Sequence, residues 1–97
     1  MATYVVLANY TAQGVRNIKE SPARLDAARK AVQAVGGDIK QVFLTMGQYD
    51  LVLVAEAPDD ETIAKFILAT GSLGNVSTQT LRAFTEDEFR KIVAGLP

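Results

Sequence analysis

Two short stretches of this chain are apolar at every consecutive position, Y-V-V-L-A at residues 4–8 and L-V-L-V-A at residues 51–55. Successive side chains of a β-strand point to opposite faces, so strands of this composition are buried on both faces and sit in the middle of a sheet. A chain of 97 residues holds a single domain around one core. The fold therefore has to place two strands at the centre of one sheet and find cover for both of its faces.

Local signals supply the other elements. After the first strand, residues 3–9, Thr11 can cap a helical turn that holds Val15 and Ile18, with Gly14 there because something packs closely on it. Ser21 as N-cap and Pro22 at the first helical position open a longer helix. Over residues 22–35, Leu25, Ala28, Val32 and Val35 recur at intervals of three and four, one buried stripe with a solvated back. Gly36 and Gly37 end it through the left-handed conformation. Residues 38–46 alternate imperfectly, with Val42 and Leu44 on one face and Ile39, Gln41, Phe43 and Thr45 on the other, as an edge strand would.

Gly47-Gln48 reads as a connection of about two residues, which makes an antiparallel hairpin into the strand at 49–57. Pro58 stops the pairing. Asp59, Asp60 and Glu61 then open a helix that runs through Ile63 and Phe66 to about Thr70, their carboxylates favoured by its dipole. Gly71 and Gly74 break it, and Asn75 reads as a left-handed turn residue. Residues 75–84, rich in Thr and Val, form a more polar strand at an edge. Thr85 caps a last short helix whose Phe89, Ile92 and Val93 are expected to face inward.

The order βαββαβ plus a C-terminal helix predicts an α+β, ferredoxin-like fold: an antiparallel four-stranded sheet, strand order 4-1-3-2, with both main helices on one face. The two strands that composition makes central are the two this topology puts in the middle. The other face is then a bare apolar surface larger than monomers usually tolerate. A second copy packed face to face would cover it, giving a dimeric α/β barrel. Gln41, Thr45, Thr78, Thr80 and Arg82 are expected around the barrel interior or its mouth.

Composition narrows the chemistry. Ten basic against eleven acidic side chains leave no basic stripe, which argues against direct binding to nucleic acid. No apolar run approaches the roughly 20 residues of a membrane span, and the N-terminus has no basic segment before an apolar block, so a soluble, cytoplasmic protein is expected. The chain has neither cysteine nor histidine, and with them go thiol nucleophiles, disulfides, the usual zinc sites and the commonest general base. No metal or cofactor is expected.

The segment G-Q-Y-D-L-V-L-V-A-E-A-P-D-D-E from Gly47, with Ser21, Pro22 and Arg24 before it, Gly36-Gly37, and G-N-V-x-T-x-T-L-R-A-F from Gly74 to Phe84, closely resembles the GYD domain family over nearly the whole chain. The resemblance implies a fold and a dimer of the α/β-barrel kind. More loosely, G-x-Y-D-L-x-L followed by a capped helix, a glycine and a Thr-rich strand is similar to the effector-binding domain of leucine-responsive regulators. There the corresponding glycine turn helps form a small-molecule site between subunits. The helix-turn-helix half of such regulators has no counterpart in this sequence.

Candidate ligand-binding residues are Gly47, Tyr49, Asp50, Arg24 and Arg82. Gly47 and Asp50 are ordinary turn residues, Asp50 accepting backbone N–H bonds beside the hairpin. The functional alternative has Asp50 orient a ligand or serve as a base at a subunit boundary. Arg24 and Arg82 carry the planar fork that suits a carboxylate or another anion. Asp59, Asp60 and Glu61 are explained by helix capping in preference to a metal cluster, and the tyrosines at 4, 10 and 49 belong to core or interface before catalysis.

Three functions follow as expectations. The first is a non-catalytic module, a homodimer or larger homo-oligomer that binds or senses a small molecule between subunits or between sheet and helices. The alternative is a cofactor-independent enzyme, an oxygenase or isomerase relying on Tyr or Asp in a dry interior, which fold analogy alone supports. The third is a purely structural role in which assembly is the function.

Overall fold

A computed structural model describes residues 1–97. Its elements are β1 (Ala2–Tyr10), α1 (Ala12–Arg16), a 3₁₀ turn (Ile18–Glu20), α2 (Ser21–Ala34), β2 (Asp38–Leu44), β3 (Leu51–Ala57), α3 (Asp60–Ser72), β4 (Val76–Ala83) and α4 (Glu86–Ala94). The sheet order is β2-β3-β1-β4, all neighbours antiparallel. This is the ferredoxin-like arrangement, and the two strands without a polar position in their cores are the inner pair.

The register assigns every strand residue to a face. Tyr4, Val6 and Ala8 lie opposite Ala55, Leu53 and Leu51 of β3 and opposite Arg82, Thr80 and Thr78 of β4. This face meets the helices: Tyr4, Ala55, Ala57 and Ile63 form the buried cluster, with Phe66 and Ile67 of α3 packed on it. Val32 of α2 is fully buried. Alanine at 55 and 57 lets α3 come close to the strand backbone. Thr78, Thr80 and Arg82 are thus on the helix side, and not around the interior of a sheet-to-sheet barrel; β4 alternates in the opposite phase to the one its polarity suggested.

In β2 the pairing runs Ile39 with Ala55, then Gln41 with Val54. Lys40 is the extra residue of a β-bulge. Its ammonium lies 3.4 Å from Asp38 and 4.0 Å from Glu56. The bulge separates Ile39, buried with the helices, from Gln41 and Phe43, which share the opposite face with Val52 and Val54. Simple alternation had grouped them. That opposite face, with Val5, Leu7, Val52, Val54, Phe43 and Leu81, has no element of the chain packed extensively on it.

Ends of elements follow capping chemistry. Thr11 accepts from the Gly14 N–H at 3.1 Å, Asp59 from the Thr62 N–H at 2.8 Å, and Thr85 with Glu88 forms a full capping box. Ser21 is no cap: it already has helical dihedrals, and its hydroxyl pairs with the Tyr10 phenol instead. Gly36 closes α2 at φ +88°, while Gly74, at φ +81°, takes the left-handed turn expected of Asn75.

Two larger departures concern apolar residues. Phe89, Ile92 and Val93 of α4 are 59%, 48% and 48% exposed. The helix has an apolar stripe, but no other element packs extensively on it. Val35, at the end of the α2 stripe, is exposed because the helix has already closed at Ala34.

Close approach fixes one glycine. A Cβ on Gly14 would stand 2.0 Å from the Asn75 carbonyl oxygen, the same oxygen that accepts the Thr11 N–H at 3.1 Å. The α1 turn is therefore pressed against the start of β4. Gly14→Ala is expected to lower stability by about 1–3 kcal/mol through overpacking, read as a fall in the urea midpoint with an unchanged denaturant slope. An unchanged midpoint would disprove the close contact.

Candidate functional site

The connection between β2 and β3 is longer than two residues. Thr45 and Asp50 close it, with the Thr45 N–H donating to the Asp50 carbonyl at 2.8 Å and the Thr45 hydroxyl to the Tyr49 carbonyl at 2.6 Å. Gly47 turns at φ +130°, a conformation open to glycine. Tyr49 and Asp50 thus precede β3, and Asp50 pairs with β1 through both its N–H and its side chain. Its carboxylate accepts the Tyr10 N–H at 2.9 Å, and its own N–H donates to Ala8 O and Asn9 Oδ1 at 3.0 and 3.1 Å. Asp50 thus extends the inner ladder by one step where β3 has not yet begun.

The Tyr49 hydroxyl donates to Gln79 Oε1 at 2.8 Å. Gln79 pairs with Leu7 on the helix-free face, so the Tyr49 phenol reaches across the end of that face to the edge strand. Gly47, Tyr49 and Asp50 are together at the β1 C-terminal end. Arg82 is not with them: it pairs with Tyr4, six strand residues from Tyr10 and so roughly 20 Å away. Its guanidinium stacks 4.5 Å from the Phe84 ring centre and donates to the Thr3 and Ala83 carbonyls.

Arg24 lies at the Tyr10 end but on the helix side. Nη1 donates to the Asn17 carbonyl at 3.0 Å and is 3.8 Å from Glu20, whereas Nη2 is shielded from water and has no acceptor. Nearby, the Tyr10 and Ser21 hydroxyls pair at 2.7 Å. Arg24 lines a cleft of about 570 Å³ between α2, α3 and the sheet. The cleft exists because the surfaces that face each other carry small side chains: Ala27, Ala28 and Ala31 from α2, Ala69 from α3 and Ala8 from β1. Leu25, Leu51, Leu53, Phe66 and Ile67 add apolar wall, and Thr70, Ser72, Asn75 and Thr78 also line it. Gly47, Tyr49, Asp50 and Arg82 do not line it. The run of alanines in α2 was the signal for this cleft, and reading those positions only as helix formers passes over it.

At the other end, the Tyr4 phenol donates to Asp60 Oδ1 at 2.5 Å and pins the N-terminus of α3 to the sheet. Burial first, then the bond to Asp60 and its negative charge, push the Tyr4 hydroxyl up to about 12 against the partial opposition of Arg82. Asp60 is thereby a partner for a buried phenol, while Asp59 caps the helix and Glu61 pairs at 3.5 Å with Lys65 one turn on.

The GYD domain model matches residues 4–93. A curated relative, the "glutamine synthetase and cystathionine beta-lyase binding protein" of Thermus thermophilus, is 32% identical over 84 residues, 86% of this chain and 88% of its own length. The crystal structure of TTHA0845, also from Thermus thermophilus, is similar at a TM-score of 0.56 and 26% identity, covering 88% of this chain and 95% of that one. A feast or famine regulatory protein from M. tuberculosis, complexed with L-methionine, shares the fold at a TM-score of 0.63 and 16% identity. The match covers 90% of this chain and 54% of the regulator.

Two outcomes test the geometry at the two ends of β1. Asp50→Ala should cost about 1–3 kcal/mol by leaving the Tyr10 N–H without its acceptor, and Asp50→Asn, which keeps an oxygen there, clearly less; urea titration of both separates a backbone tie from a role confined to ligand binding. For Tyr4 the folded value lies above the ordinary tyrosine value of 10.0, so its contribution to stability is fully present below about pH 10 and is lost as pH rises toward 12. Tyr4→Phe should lack this alkaline loss. Parallel alkaline slopes in the two proteins would refute the Tyr4–Asp60 tie.

Proposed function

The chain belongs to the GYD domain family, and from that premise we propose that it is a homodimeric cytoplasmic module that binds a small molecule and acts as a sensor, without catalysis. The observation that carries the reading is the cleft. At about 570 Å³ it falls within the range of small-molecule sites, which are mostly apolar with a few placed polar groups. The M. tuberculosis neighbour complexed with L-methionine supports such a use of the fold by analogy. The Thermus relative, named for binding two enzymes, supports an output delivered by contact with other proteins. Tyr49, Asp50 and Arg82, the residues a cofactor-free enzyme would draw on, do not line the cleft, and this favours binding over turnover.

Dimerisation rests on surface. A folded monomer of 10.4 kDa is expected to expose about 5,400 Å², whereas this chain exposes 6464 Å². The excess, roughly 1,000 Å², is close to the about 800 Å² that each partner contributes to a standard interface. Part of it lies on the helix-free sheet face and on the apolar stripe of α4. In the proposed dimer, Val5, Leu7, Val52 and Val54 pack on their counterparts about a two-fold axis. Gly47 and Tyr49 stand at the rim of that contact, and no cofactor takes part.

Light scattering at micromolar concentration should give twice 10.4 kDa. Val54→Lys, at the centre of the open face, should give the monomer mass with the same secondary structure by circular dichroism. A wild-type monomer would end the dimer proposal.

A further inference from the structure

We infer that the cleft between α2, α3 and the sheet takes an aliphatic monocarboxylate, with its hydrocarbon part against Leu25, Leu53 and Phe66 and its carboxylate on the guanidinium of Arg24. This rests on the proposed small-molecule-binding function and narrows it to a ligand class.

Charge decides the head group. Of the 20 residues that line the cleft, Arg24 is the one that carries a charge. A guanidinium presents donors only and suits a carboxylate bidentately. Its Nη1 is occupied by the Asn17 carbonyl, which holds the side chain in place, and Glu20, at 3.8 Å and 74% exposed, compensates it weakly. Nη2 lacks an acceptor and is out of water, an arrangement that costs free energy until an acceptor arrives. A carboxylate in the cleft would itself be that missing acceptor. The Tyr10–Ser21 hydroxyl pair, in which Ser21 lies one turn before Arg24, leaves one O–H donor at the same end.

The lining also rejects other classes. An amino acid would bring an ammonium into a cleft without a single carboxylate, leaving that charge unpaired. A dicarboxylate or phosphate would need a second cation. The apolar walls call for a ligand whose remainder is hydrocarbon, and alanines along α2 and α3 leave the space for it.

The test uses the purified 97-residue chain, titrated by calorimetry and thermal shift with octanoate, octanol and leucine. Octanoate should bind and raise the melting temperature, octanol should bind at least about tenfold more weakly, the worth of a charge-assisted bond, and leucine should not bind. Arg24→Gln should reduce octanoate to the affinity of octanol while leaving octanol unchanged, with Arg24→Lys between. Ala28→Phe, which fills the cleft, should abolish both while the protein still melts cooperatively. Equal affinities of octanoate and octanol for the wild type, or an Arg24→Gln variant that binds octanoate undiminished, would overturn the carboxylate assignment while the binding function stands. Binding of leucine as tight as octanoate would also overturn it. If none of the probes binds, the small-molecule function falls together with this inference.

Discussion

The structure depends on the pairing of β1 with β3, two strands that are apolar on both faces. Burying such a pair requires a layer on each side, and this chain folds only one layer of helices over it. Everything distinctive follows from that imbalance. The helix side receives Tyr4, Val6, Ala8 and Ile39, and the other side is left with Val5, Leu7, Val52 and Val54 and no covering element. A sheet of this kind leaves one apolar face open to water, and this is the surface that the proposed dimer would bury.

Within the helix layer the packing is uneven. At the Tyr4 end, α3 is clamped by the phenol–carboxylate bond to Asp60 and by Ile63 in the core. At the Tyr10 end the helices face each other with alanines, and the cleft opens. The two ends of one strand thus have different duties. Asp50, read from the sequence first as an acceptor of backbone N–H bonds beside the hairpin, holds the chain together at the second end by giving β1 an acceptor that β3 does not supply. That tie also fixes Tyr10, whose phenol touches Ser21 at the start of the helix bearing Arg24. Ser21 at the cleft and Asp50 at the hairpin are therefore linked through Tyr10 by two hydrogen bonds.

Much of the fold was legible because its signals are local. Thr11, Asp59 and Thr85 act through backbone N–H groups three residues on, and Gly36 ends a helix for reasons confined to its own φ. The candidate site was less legible. Gly47, Tyr49 and Asp50 were recognisable as a group because they are contiguous, and Arg24 because arginine is chemically distinctive. Nothing local places Arg82 at the far end of β4, separates Ile39 from Gln41 at a bulge, or leaves the apolar stripe of α4 uncovered.

By itself the sequence determined the elements, the two inner strands and hence the order of the sheet, since apolarity on both faces and short connections leave little freedom. Tertiary structure decided the phase of each edge strand, because an edge has one neighbour and its face is set by register rather than composition. It decided which charged groups pair, and set the Asp50 carboxylate on the Tyr10 N–H. It also decided where space remains. A row of alanines is helix-forming in any context, and becomes the wall of a cleft only when a second helix and a sheet stand opposite it.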